Sequence, residues 1–239
     1  IALFDTDIDL AQALATASAA AGLAAVPPFT IEEVEEQNWV QLTQSQFDPI
    51  RITDRLWIVP TWHTAPDADA INLILDPGMA FGTGSHPTTR LCLEWLTEQV
   101  APGVSVLDYG CGSGILGIAA VKLGAGEVTG VDIDDKAVAT AADNAAANGV
   151  SLHLQVSAKP LDGTFQRVVA NILTNPLKML APLLAARVAP GGKLALSGVL
   201  EAQAEEVIAA YAPFIALQVG ATLDGWVRIE GQRPEQAVP

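Results

Sequence analysis

The run Asp108-Tyr109-Gly110-Cys111-Gly112-Ser113-Gly114 sets a carboxylate beside three glycines in one short stretch. Glycine lets a backbone turn sharply and lets a ligand approach the main chain with no Cβ in the way. Asp132 follows 22 residues beyond Gly110, and a carboxylate there can accept hydrogen bonds from both hydroxyls of a ribose. Nucleotide-binding turns take this form when a strand precedes the glycines and a helix follows. A tight strand–helix turn with a helix-capping Asp is the plainer reading of the same letters. Nor do the letters choose the ligand: Gly112-x-Gly114-x-x-Gly117 satisfies the dinucleotide fingerprint too. Asp108 tilts the choice, because it suits an ammonium or backbone amides and would lie unfavourably near a pyrophosphate.

Asn171, in Asn171-Ile172-Leu173, offers a second chemistry. Its amide oxygen, with a neighbouring backbone carbonyl, can accept two N–H bonds of an amine and aim the lone pair at an electrophilic methyl. Such positioning lowers a barrier by on the order of several kcal/mol. A turn asparagine closing a strand is the competing reading. The stretch from Asp76 to Thr89 is rich in glycine and hydroxyls, which suggests a loop wrapping a ligand. Ser85 before His86-Pro87 begins the next helix. With no second His or Cys nearby, His86 reads as a turn or capping residue, and we assign no metal.

These residues need elements to hold them. An alternation of strands and helices begins at Val104. Strands at Val104 to Leu107, Val128 to Val131, Leu152 to Val156 and Arg167 to Ala170 place Asp132 and Asn171 at strand ends. A helix follows Gly114, and another runs from Asp134 or Asp135 to Asn148-Gly149. Lys178 to Val188 reads as a helix ending at Pro190-Gly191-Gly192, with Lys193 to Leu196 as a strand. Such alternation implies α/β architecture, a parallel sheet covered by helices on both faces. Ile215 to Val219 and Trp226 to Ile229 are too close for a parallel crossover, so they form an antiparallel hairpin. Upstream, a helix spans about Asp9 to Gly22, and Pro27-Pro28 breaks the chain. Thr30 with Glu33 forms a capping box, and Leu56 to Pro60 and Ile71 to Leu75 are strands.

Composition narrows the function classes. Among 239 residues, 27 acids against 12 bases give a formal charge of −15. Nucleic acid binding draws on Lys and Arg, and no basic cluster opposes this field, so direct RNA binding is disfavoured. An acidic body favours encounter with a basic partner. No apolar run approaches the ~20 residues of a membrane helix, and no secretory signal is visible. Cys92 and Cys111 are too few for a disulfide framework, which fits a cytoplasmic protein. The chain starts at Ile1 and not at methionine, so we expect residues before it.

Taken together, these segments resemble the bacterial methyltransferases that modify ribosomal protein L11. The likeness runs through Asp76 to Thr89 (with GMAFGTGSHPTT), Val106 to Gly117 (VLDYGCGSGILG) and Gly130 to Asp134 (GVDID). It continues in Val169 to Leu173 (VANIL), Leu196 to Leu200 (LSGVL) and Trp226 to Arg233 (WVRIEGQR). Tyr109 departs mildly from the small or aliphatic residue common in the family.

The resemblance implies a seven-stranded Rossmann-like methyltransferase sheet with a C-terminal antiparallel hairpin, over residues 48–239. A partial small α/β domain for substrate recognition (1–34) and a linker helix (35–47) would precede it. S-adenosylmethionine is the implied cofactor, contacted at Phe81, Thr83, Thr89, Gly110, Asp132 and Asn171, and at Asp108 and Gly112 of the turn. Phe81 and Thr83 would close over the methionyl end, and Asn171 would be the catalytic residue. The implied substrates are lysine side chains and the N-terminal amine of ribosomal protein L11, modified by a monomer. Two alternatives share the turn: a nicotinamide-dependent dehydrogenase, and a methyltransferase acting on RNA or a small molecule.

Overall fold

The structure, a computed structural model, describes residues 9–30, 47–76 and 86–235. The capping-box partner Glu33, the linker helix over 35–46, and Phe81 and Thr83 lie outside these residues. The chain separates into two compact units, Ile1–Leu42 and Thr43–Pro239. In the first, α1 (Leu10–Ala20) starts at Asp9, whose side chain accepts from the Gln12 amide at 3.1 Å. Gly22, at φ 71°, ends it in a Schellman turn, with Leu23 N donating to Ser18 O at 2.9 Å.

In the second unit a small sheet joins β1 (Ile50–Thr53), β2 (Leu56–Val59) and β3 (Ile71–Ile74). Strand β1 was not expected from the sequence. The main sheet has seven strands: β4 (Ser105–Tyr109), β5 (Glu127–Asp132), β6 (His153–Val156), β7 (Phe165–Asn171), β8 (Val188–Leu200), β9 (Gln218–Leu223) and β10 (Trp226–Gln232). Their spatial order is β6-β5-β4-β7-β8-β10-β9. Strands β4 to β8 pair in parallel, and β10 runs antiparallel between β8 and β9. The expected hairpin is therefore present.

Helices α2 (Pro87–Gln99), α3 (Ile115–Lys122) and α4 (Asp135–Ala147) precede α5 (Thr174–Met179), α6 (Ala181–Arg187) and α7 (Ala204–Tyr211). Leu93, Trp95, Leu96, Ile118 and Val106 fill the core shared by α2, α3 and the small sheet. Leu177, Leu184, Val207 and Tyr211 fill the core beneath α5, α6 and α7. The sheet is thus covered by separate apolar cores. Among the described residues, no helix is long and apolar enough to cross a membrane.

Three local readings need correction. The helix expected at Lys178 to Val188 is two helices broken at Leu180, because Pro182 in the first turn of α6 has no N–H to continue the ladder. Strand β8 begins at Val188 and absorbs Pro190-Gly191-Gly192 as a bulge: its register with β7 jumps from Phe165↔Val188 to Arg167↔Lys193. The strand placed at Ile215 to Val219 is Gln218–Leu223 instead. Asp224 and Gly225, at φ 49° and 77°, form a tight turn that fixes the hairpin as Leu223↔Trp226. Ile215 is buried beside Tyr211 before the strand begins.

Candidate functional site

The carboxyl ends of β4, β5, β7 and β8 gather the polar residues singled out above. Gly110, Gly112 and Gly114 have φ of 78°, 52° and 79°, a region other L-residues adopt only with strain. Gly110 N and Cys111 N donate to Val131 O at 2.7 and 3.0 Å, folding the turn over the end of β5. A Cβ on Gly110 would fall on Ile172 Cγ2, and one on Gly114 would stand 2.9 Å from Ala141 Cβ. From α4, Asn144 Nδ2 donates to Ser113 O at 2.8 Å and holds the turn from the other side.

Asp132 is pinned by that turn. Its Oδ2 accepts from Gly112 N at 2.9 Å and its Oδ1 from Asp134 N at 3.1 Å. Each oxygen keeps a further lone pair, and the residue is half-buried at the strand end. A carboxylate held so can accept a vicinal diol with no loss of rotamer freedom.

Asp108 behaves differently. It is fully buried beneath the turn, and Oδ2 accepts from Gly117 N at 2.9 Å. Of the two roles its position suggested, backbone-amide acceptor is the one the geometry displays. Its Oδ1 has no partner among the described residues. Burial, opposed by the Gly117 amide and reinforced by Asp132, lifts its pKa from 3.8 to about 7. The nearby thiols are buried as well. Burial and then Asp108 push Cys92 up to about 12, and the same causes raise Cys111. Neither thiol ionises readily, so neither is a nucleophile.

Asn171, half-buried, ends β7, and its Nδ2 donates to Thr89 Oγ1 at 3.3 Å. Thr89 sits buried in the first turn of α2, so the position expected to touch cofactor touches the amide of Asn171. His86 caps that helix, accepting from Thr88 N through Nδ1 at 3.3 Å, and its ring stands edge-on to Trp226 at 4.8 Å. That agrees with the capping reading of His86.

Ile172 was not singled out, yet it joins the two halves of the site. Its amide donates to Ser197 O at 3.2 Å, and its side chain fills the space a Cβ on Gly110 would need. Its carbonyl occupies the place of a Cβ on Gly198, which has φ 85°. No hydrogen bond from a described residue reaches that carbonyl. Gly198 lies in the quoted LSGVL, and a glycine inside a strand pattern marks a close backbone approach. That signal was available in the sequence.

The fold and site define a class: a parallel sheet with an antiparallel strand inserted next to its edge, glycine turn after the first strand, carboxylate after the second, is a Rossmann-like methyltransferase. The family model described as ribosomal protein L11 methyltransferase matches residues 1–234. A relative of that name from Dechloromonas aromatica is 60% identical over 234 residues, 98% of this chain and 79% of the relative. The crystal structure of ribosomal protein L11 methylase from Lactobacillus delbrueckii subsp. bulgaricus superposes with a TM-score of 0.72 at 34% identity, over 79% of this chain and 100% of that one. A 16S rRNA methyltransferase of T. thermophilus, solved with AdoMet and guanosine, shares the fold with a TM-score of 0.57 at 24% identity, over 64% of this chain and 45% of that one. The chain belongs to the ribosomal protein L11 methyltransferase family.

Proposed function

We propose that this enzyme transfers methyl groups from S-adenosylmethionine to lysine side chains and the N-terminal amine of ribosomal protein L11. The observation that carries the reading is the pairing at the sheet edge of Asp132, pinned by two backbone amides, with Asn171 and the Ile172 carbonyl that follows it in the chain. The residues fit an adenosyl cofactor: Asp132 is a diol acceptor at the strand end, and the turn at Gly110 and Gly112 presents main chain without side chains beside it. When bound, the cofactor supplies an electrophilic methyl on a positive sulfonium. Asp132 would hold its ribose hydroxyls and the turn at Gly110 and Gly112 its flank, with Phe81 and Thr83 assigned to the methionyl end.

Asn171 and Ile172 do the work on the substrate. With Nδ2 committed to Thr89, the Asn171 Oδ1 is left to accept one N–H of an amine, and the Ile172 carbonyl accepts a second. Two acceptors on two N–H bonds aim the lone pair along one direction, which is positioning. An amine of pKa near 10.4 must first lose a proton. Desolvation in the cleft and a neighbouring positive charge both lower that pKa, so water can take the proton. No oxyanion hole is needed, since no negative charge develops.

Residues 1–34 belong, in this reading, to a substrate-recognition domain joined through the linker at 35–47 to the methyltransferase domain at 48–239. The enzyme would work in the cytoplasm as a monomer, on a basic protein and without direct nucleic acid contact. Incubation of the chain with S-adenosylmethionine and ribosomal protein L11, followed by mass spectrometry, tests the proposal. Mass increments of one or more methyl groups on lysines or the N-terminus are expected; an unmodified protein would overturn it.

A further inference from the structure

Beyond Asn171 the surface changes character. Leu173, two residues on, is 70% exposed, and Met179, at the far end of α5, is 82% exposed. Pro176 is exposed between them. Their spacing of three places them along one side of a helix about 9 Å long. At the end of the neighbouring strand β8, Leu200 is 43% exposed. Gln203 ties the two ends together: its Oε1 accepts from Thr174 Oγ1 at 2.9 Å and from Leu200 N at 3.4 Å. Gln203 thus holds the start of α5, next to Leu173, close to Leu200 at the end of β8. Single exposed apolar residues need no explanation, but a continuous row at a site marks a contact surface.

Charge selects the partner. Helix α5, the turn Glu201–Gln203 and α7 carry Lys178, Glu201, Glu205 and Glu206 as their charged residues. Lys178 is paired with Glu206 at 2.6 Å. The uncompensated charge is therefore negative, on exposed Glu201 and Glu205, in a chain of formal charge −15. A second copy of this acidic chain, or a nucleic acid, would be repelled. An extended, basic segment with some apolar side chains is complementary.

We infer that Leu173, Pro176, Met179 and Leu200, flanked by Glu201 and Glu205, form a docking strip for a basic segment of the protein substrate, which lies along it while its amine reaches Asn171. The inference rests on the methyl-transfer reading above. Docking there would raise the local concentration of amines on one bound protein and would favour several modifications per encounter.

The test uses the full chain with S-adenosylmethionine and ribosomal protein L11. The pair Met179→Ser with Leu200→Ser alters side chains away from the amine and the cofactor. It should raise KM for the protein by ~5- to 10-fold, with kcat and cofactor affinity held, because only contact area is lost. The pair Glu201→Gln with Glu205→Gln should raise KM by ~3- to 5-fold at low salt, and the difference should fade at high salt. If the unaltered chain methylates the protein and neither pair changes KM, the strip is overturned alone. If the unaltered chain transfers no methyl group, the methyl-transfer reading falls and takes this inference with it.

Discussion

On the β4–β5 side of the carboxyl edge, the polar contacts run from carboxylates to backbone amides: Asp132 to Gly112 and Asp134, Asp108 to Gly117. On the β7–β8–β10 side, contacts between side chains are added: Asn171 to Thr89, Thr174 to Gln203 and the ring of His86 against Trp226. The first side is closed to any added Cβ at Gly110 and Gly114. The second leaves Leu173 and Leu200 in solvent. Contacts to backbone fix a single shape, whereas contacts among side chains leave rotamers to choose from. In the proposed reaction the invariant cofactor would meet the first kind of wall and the amines the second. At the ligand edge the two halves are joined through Ile172, packed between the glycine turn and Gly198.

The largest expected effect would separate the halves. Asn171→Ala removes the amine acceptor and should lower kcat by ~10²- to 10³-fold, while cofactor affinity changes by less than about threefold. Asn171→Asp keeps an acceptor but raises the amine's pKa, so partial activity should climb with pH. Single-turnover assays across pH decide the matter, and near-normal transfer by the alanine variant would remove the positioning role. On the other half, Asp132→Ala should weaken S-adenosylmethionine binding by ~1.5–3 kcal/mol, read by titration calorimetry. An unchanged affinity in a folded variant would place the ribose elsewhere.

Asp108 sharpens the contrast through stability. The unfolded chain ionises this carboxyl near 3.8, whereas the fold keeps it neutral up to about 7. Its contribution is fully present below the unfolded value and is lost as pH rises through about 7. Asp108→Asn cannot ionise, so relative to the unaltered chain it should gain ~2 kcal/mol between about pH 5 and about pH 8, read from urea midpoints. A pH-independent difference would show that Asp108 titrates normally. The smallest effect belongs to the substrate side: His86→Ala loses a cap and a ring contact, and should cost ~1 kcal/mol of stability with little change in cofactor binding.

The parts of this site that could be read from the sequence are those where one residue type has one use. Glycines after an apolar strand, Asp132 at the next strand end and Asn148-Gly149 closing α4 all stand where the letters put them. The hairpin was legible because two strands lay too close for a crossover, yet its first strand was misplaced. Exposed β9 shows no apolar alternation, and only the turn at Asp224-Gly225 sets its register. Helix α7 went unread, although Ala204, Val207 and Tyr211 mark a buried helical face. The burial of Asp108 was illegible, because which side of a strand end faces solvent depends on what packs over it. Gly198 within its strand pattern signalled a close backbone approach, but the partner that makes it, Ile172, lies on a distant segment that no local pattern names.

Asn148 gives the small sheet a use beyond packing. Its Oδ1 accepts from Ile74 N at 2.8 Å and its Nδ2 donates to Ile74 O at 2.7 Å. A side-chain amide thereby imitates a peptide unit, and Ile74 is bonded as though one more strand lay beside it. Ile74 stands three residues before Pro77, where the glycine-rich sequence leading to His86 sets out, and Asp76 is fastened to Thr61 by two further bonds. The end of β3 is thus clamped to the C-cap residue of the helix that Asp134 begins. One helix therefore braces two places at once: its C-cap Asn148 holds the end of β3, and its Asn144 steadies the glycine turn.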